Sequence, residues 1–185
     1  MSVFELIFVT SELGDASEPR TEYLLDSFDG VVSTHGGLTL AALSCPGRSA
    51  FDAAVRAVTD LETHGIQVLR LHEDLVTRAE IARRAGVTPQ NVGQWIRGER
   101  HGGFPTPHNA AAGGLYLWHD VNTWLETIGR GDGMRHPDTH ECARINGHLA
   151  TARRLSGGGG LSGRLAVTTV EPSGTLRAVS LALAS

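Results

Sequence analysis

An α+β fold with two small cores is predicted by three features of the sequence. Strand-like and helix-like stretches follow one another as β-α-β-β-α-β over residues 1–75, and two short helices joined by a glycine turn follow over 77–98. The rest reads as a hairpin, two helices and a last hairpin. With 185 residues, 41% of them hydrophobic and only 5% aromatic, the chain can fill aliphatic cores for two compact units and a tail.

Residues 3–10, rich in Phe, Ile and Val, suit a buried strand. Pro19 can open a helix that carries Tyr23, Leu24, Leu25 and Phe28 on one face, with Gly30 as its stop. Two short strands at 31–35 and 38–43 are separated by Gly36-Gly37, which supply the positive φ angles of a tight hairpin. Ser49 then caps a helix with Phe51, Ala54, Val55, Val58 and Leu61 as its apolar positions, ending near Gly65, and 66–71 forms a further strand. This order resembles the ferredoxin-like arrangement, in which two helices cover one face of a four-stranded antiparallel sheet. The resemblance implies that the other sheet face is bare, open to a second subunit, a small-molecule or protein ligand, or a later part of the chain.

Thr77-Arg78-Ala79-Glu80 has the form of a capping box, in which Thr77 and Glu80 satisfy each other's free backbone N–H groups. Ile81, Ala82 and Ala85 face inward on the helix that follows, and Gly86-Val87 make the turn. Thr88 caps a second helix with Pro89 at its first position, and Val92, Trp95 and Ile96 return to the core. Small Ala82 allows the two helices to cross closely, Gly86 allows the sharp turn, and Val87, Val92 and Trp95 fill the wedge.

Through Ile81-Ala82-Arg83-Arg84-Ala85-Gly86-Val87-Thr88 and then Val92 and Trp95, the segment resembles helix-turn-helix DNA-binding proteins. Phe104-Pro105-Thr106-Pro107, a glycine-bearing hairpin over 104–118, Tyr116-Leu117-Trp118 and Val121-Asn122-Thr123-Trp124-Leu125 look like the wing and closing helix of MerR-like and excisionase-like winged domains. The wing tip at 107–114 departs from that pattern in having no arginine. The resemblance implies a recognition helix from about Pro89 to Arg97. Gln90, Asn91, Gln94 and Arg97 would read base edges, with Gly93 allowing close approach. Arg78, Arg84, Thr88, Arg100 and His101 would contact phosphates. Tyr116, Trp118 and Trp124 are read as core side chains around Trp95.

Beyond 131, a helix over 137–155 places Cys142, Ile145, Leu149 and Ala152 along one side. The five glycines of 156–163 make a connector, and 165–170 and 176–183 flank a turn at 171–175 as a second hairpin. The expected division is therefore 1–75 for dimerisation or sensing, 76–130 for a winged helix-turn-helix, and 131–185 for a helix, linker and hairpin.

Net charge is −4, but its distribution is uneven. Residues 1–75 carry twelve acids against four arginines, 76–103 five arginines against two acids, and the remainder seven against six, with no lysine anywhere. Positive charge is thus concentrated on the helical pair, as arginines suited to bidentate contacts with phosphate or guanine. No basic leader and no apolar run of spanning length is seen, which reads as a cytoplasmic, nucleoid-associated protein. Cys45 and Cys142 form no CxxC pair. His136, His140, Cys142 and His148 are close in sequence, yet Pro137 interrupts them and no local carboxylate completes a set, so neither metal nor cofactor is expected. No nucleophile elbow or dinucleotide loop points to an enzyme. The reading is a sequence-specific double-stranded DNA-binding regulator acting as a homodimer. The alternatives are an excisionase-like DNA-bending factor and a protein-interaction adaptor with a non-binding helix-turn-helix.

Overall fold

The computed structural model describes residues 1–157, 166–170 and 176–180. Met1–Ala150 make one compact unit and Thr151–Ser185 a second. The first unit contains two hydrophobic cores.

The first core is built on β1 (Ser2–Thr10), α1 (Pro19–Ser27), β2 (Gly30–His35), β3 (Leu38–Gly47), α2 (Ala50–Thr63) and β4 (Val68–Leu71). The strands lie in the order β2-β3-β1-β4, and every neighbouring pair is antiparallel. Alternation along β1 and β3 places Phe4, Leu6 and Phe8 opposite Cys45, Leu43 and Ala41, and all six are buried. Leu24 of α1 and Ala50, Ala53, Ala54, Ala57, Val58 and Leu61 of α2 cover them. Ser49 caps α2 by accepting a hydrogen bond from the Asp52 N–H at 3.1 Å. The outward face leaves Val31 65% exposed, with Val3 and Leu38 also exposed.

Gly36 and Gly37, at φ +55° and +81°, make the tight β2–β3 turn. Gly30 has a different task from the helix stop expected of it. It opens β2, and a Cβ there would fall 2.6 Å from the carbonyl oxygen of Ala42, so close strand approach requires glycine.

A third helix joins this core. In α6 (Thr139–Gly157), Cys142, Ile145 and Leu149 are buried against it, whereas Ala152 is exposed. Asn146 covers edge strand β4: its Oδ1 accepts from the Leu71 N–H at 2.7 Å and its Nδ2 donates to the Leu71 carbonyl at 3.1 Å. The first core therefore draws on residues well beyond 1–75. Its sheet is covered by helices from two distant parts of the sequence.

The second core comprises β5 (Leu75–Val76), α3 (Arg78–Arg84), α4 (Pro89–Ile96), β6 (Tyr116–Leu117) and α5 (Trp118–Thr127). The hairpin expected over 104–118 is not formed as such. Tyr116 and Leu117 instead pair antiparallel with Val76 and Leu75, and 104–115 closes only through a bridge between Asn109 and Leu115 around a 3-10 turn at Ala111–Gly113. Pro105 and Pro107 lack the N–H groups a first arm would need, so the strand before α3 provides the partner.

In the second unit, β7 (Ala166–Val170) and β8 (Leu176–Ser180) pair antiparallel with Ala166 opposite Ser180. The turn expected at 171–175, residues 181–183 of the last strand, and all but the start of the glycine connector lie outside the described residues. Among the described residues, no helix is long and apolar enough to cross a membrane.

Candidate nucleic-acid interface

The helical pair is held by its ends. The Thr77 hydroxyl accepts from the Glu80 N–H at 3.3 Å, and Thr88 accepts from the Asn91 N–H at 3.3 Å, with Pro89 at the first helical position. Gly86 follows α3 at φ +64°, and the N–H groups of Gly86 and Val87 donate to the carbonyls of Arg83 and Ala82 at 3.3 and 2.9 Å. Those two bonds make a Schellman turn, and it re-aims the chain into α4. Gly98 ends α4 in the same way, at φ +69°, with Gly98 and Glu99 donating to Trp95 and Gln94.

Beneath the pair, Ile81, Ala82, Val92 and Trp95 are buried with Tyr116, Trp118, Val121, Trp124 and Leu125. The aromatic residues are core, as read: Trp95 and Trp124 lie 5.1 Å apart between ring centres, and Phe104 meets Trp124 edge-on at 4.9 Å. Ile96, expected to return to the core, is 39% exposed.

Gln90, Gln94 and Arg97 recur at helical spacing along the side of α4 away from Val92 and Trp95. Gln90 and Arg97 are exposed, and Gln94 is half-buried with an Oε1 that is shielded and has no hydrogen-bond partner. Asn91 is half-buried on the flank. Arg97 makes a surface ion pair with Glu99 at 2.6 and 3.0 Å, which holds the Glu99 carboxyl below its ordinary range. Gly93 is buried rather than open: a Cβ on it would lie 3.3 Å from Nη1 of Arg97 and 3.7 Å from Nη1 of Arg78. Guanidinium groups from the start of α3 and the end of α4 thus converge over it.

Of the other residues expected at phosphates, Arg78, Thr88, Arg100 and His101 are exposed. His101 sits at φ +49° beside Trp124, whose Nε1 donates to the Gly102 carbonyl at 3.2 Å, so the chain after α4 is tied to the core.

Arg84 is the exception. It donates to both carboxylate oxygens of Asp74 at 2.5 and 2.9 Å and to Glu80 at 3.1 Å, and its guanidinium lies 4.7 Å above the Trp118 ring. Burial pushes its pKa down, but Asp74 and Glu80 outweigh that and hold it up. Arg84, expected at a phosphate, is therefore engaged within the chain as a pin between α3, Asp74 just before β5, and Trp118 at the start of α5. The capping box is also half-formed: Glu80 turns to Arg83 and Arg84 instead of back to Thr77, because two guanidinium groups are stronger donors than one amide. The competing signal was in the sequence, since Arg83 and Arg84 lie three and four residues after Glu80.

The fold and this surface define a helix-turn-helix unit. A model of the helix-turn-helix domain family matches residues 66–107, from the residues just before β4 through α4 to the loop that follows it. The chain thus carries a helix-turn-helix domain of the DNA-binding type, over well under half of its length. Comparison with curated proteins and with solved structures gives no match.

Proposed function

We propose that the protein is a sequence-specific double-stranded DNA-binding protein that regulates transcription by occupying its site, without performing chemistry. The observation that carries this reading is the open side of α4, where Gln90 and Arg97 face solvent and Arg78 and Arg97 bring two guanidinium groups together. Gln can pair bidentately with adenine and Arg with guanine, each worth about 1–3 kcal/mol of discrimination. The shielded, unpaired Oε1 of Gln94 is an acceptor that an adenine N6 donor satisfies once the side chain swings outward. The Arg97–Glu99 pair does not block this role, since exposed ion pairs contribute only about 0–1 kcal/mol.

The β5–β6 pairing, with α5 closing the helical pair, supports a reader of the winged, MerR-like or excisionase-like type over 76–130. Without an arginine at its tip, the short 109–115 loop adds little phosphate contact. The sheet order β2-β3-β1-β4 supports a ferredoxin-like unit over 1–75, whose exposed Val31, Val3 and Leu38 suit a homodimer contact or a ligand face. A dimer would read half-sites about 34 Å apart. Association with the nucleoid follows from the same reading.

Selection of bound duplexes from a random pool by the intact chain, followed by footprinting, tests the proposal. A recovered consensus supports it, and absence of binding at low salt overturns it in favour of a protein-interaction adaptor. Strong bending of the recovered site would reassign the protein as an architectural factor. Gln94→Ala is expected to relax base preference with an unchanged salt slope. Arg100→Ala should weaken all sequences alike and reduce the slope by about 1.

A further inference from the structure

Away from α4, a histidine lies between two carboxylates. His136 is 7% exposed, with its Nε2 2.9 Å from Asp132 Oδ2 and its Nδ1 3.5 Å from Glu5 Oε2. Asp132 is firmly placed. Its Oδ2 also accepts from Trp118 Nε1 at 3.0 Å, its Oδ1 accepts from the Met134 N–H at 2.9 Å, and its own N–H donates to Asn122 Oδ1 at 2.9 Å. Glu5 is fixed on β1, where its N–H donates to the Arg135 carbonyl at 2.9 Å. Strand β1 and the 132–136 segment are thereby brought together from opposite ends of the unit.

The two ring distances differ in kind. At 2.9 Å, Nε2–H donates to Asp132, which leaves Nδ1 of a neutral ring with a lone pair facing the Glu5 carboxylate. Two acceptors so placed repel unless a positive charge lies between them. Their 3.5 Å separation is longer than a charge-assisted N–H···O bond of about 2.7–2.9 Å. It matches the roughly 3.4 Å between two ligand atoms that each sit about 2.1 Å from a tetrahedral zinc ion.

We propose that Glu5 and His136, with Asp132 behind the ring, form a site for a divalent cation of the zinc type. One donor atom from each group lies within 4.8 Å of the other two. His136 Nδ1 and the Glu5 carboxylate hold the ion, and Asp132 orients the ring through Nε2–H, as carboxylates do behind metal-bound histidines. Glu5 and His136 line one small pocket together with His119, of about 10 Å3, room for about one water to complete the coordination. His119 steadies this segment by donating from Nδ1 to the His136 carbonyl at 2.6 Å. Occupancy would brace Asp132, and through it Trp118, on which Arg84 of α3 rests.

The test is zinc uptake by the intact, EDTA-stripped chain, followed by calorimetry and by metal analysis after dialysis. One zinc per chain is expected, with affinity lowered at least ten-fold in both Glu5→Gln and His136→Gln, and unchanged in His140→Gln, on the exposed side of α6. Glu5 is half-buried and its amide analogue keeps its shape, so Glu5→Gln remains informative if His136→Gln fails to fold. No uptake, or uptake equal to the parent in Glu5→Gln, overturns the proposal and leaves His136 a structural side chain packed between the two carboxylates. None of the three residues lies on α4, so this failure and a failure to bind DNA are separate results.

Discussion

Arg84 shows how one side chain can carry more structure than its sequence position announces. Three ion-pair contacts and an aromatic face hold it, and its loss would leave Asp74 partly buried without a partner. Arg84→Ala is expected to lower stability by about 2 kcal/mol, read as a lower urea midpoint, because hydrogen bonds to charged groups are worth about 1.5–3 kcal/mol each. Its effect on DNA affinity should follow from that loss and not from a missing phosphate contact. A parent-like midpoint would refute the pin. Glu80 gives a pH test at the same place. Hydrogen bonds from Arg83, then Arg84, hold its carboxyl down at about 2, below the ordinary 4.5. A depressed folded-state pKa gives stability that is complete above about pH 4.5 and lost as pH falls through about 2. Between those limits the urea midpoint should fall less steeply in Glu80→Gln than in the parent.

The helix ends were legible in the sequence because they depend on neighbours a few residues apart. Ser49, Thr77 and Thr88 cap α2, α3 and α4, and Gly65, Gly86, Gly98 and Gly129 follow α2, α3, α4 and α5 at positive φ. At Gly86 a Cβ would meet nothing within 4 Å, so Gly86→Ala is opposed by the left-handed backbone alone, at about 1–2 kcal/mol. Gly30→Ala is opposed instead by the Ala42 carbonyl at 2.6 Å and should cost more. Thermal unfolding of the two variants checks that order. Less legible were the partners of short strands. Tyr116-Leu117 had the right composition for a hairpin arm, but nothing local shows that Leu75-Val76 would pair with it. The half-made capping box has a similar origin, since a local motif competes with every stronger donor within reach.

At the scale of the molecule, the two cores can be watched separately. Trp95, Trp118 and Trp124 are the chain's three tryptophans and all lie in the second core, whereas Cys45 and Cys142 lie in the first. Burial pushes both thiols up to about 12, so neither should react with a thiol reagent until the first core opens, while tryptophan fluorescence follows the second. Thiol protection and fluorescence should be lost at the same urea concentration if the unit unfolds as one. Two separated midpoints would show that the cores part.

The sequence by itself determined the β-α-β-β-α-β order, the helical pair with its glycine turn, and, of the four residues expected to face outward on the second helix, the exposure of Gln90 and Arg97, because each rests on periodicity or capping within a few residues. Only the tertiary structure decided that α6 returns to cover Leu71, that Arg84 turns inward to Asp74 and Trp118, and that Glu5 meets Asp132 and His136. Those contacts join residues brought close by packing, and spacing along a chain carries no record of a partner that another element supplies.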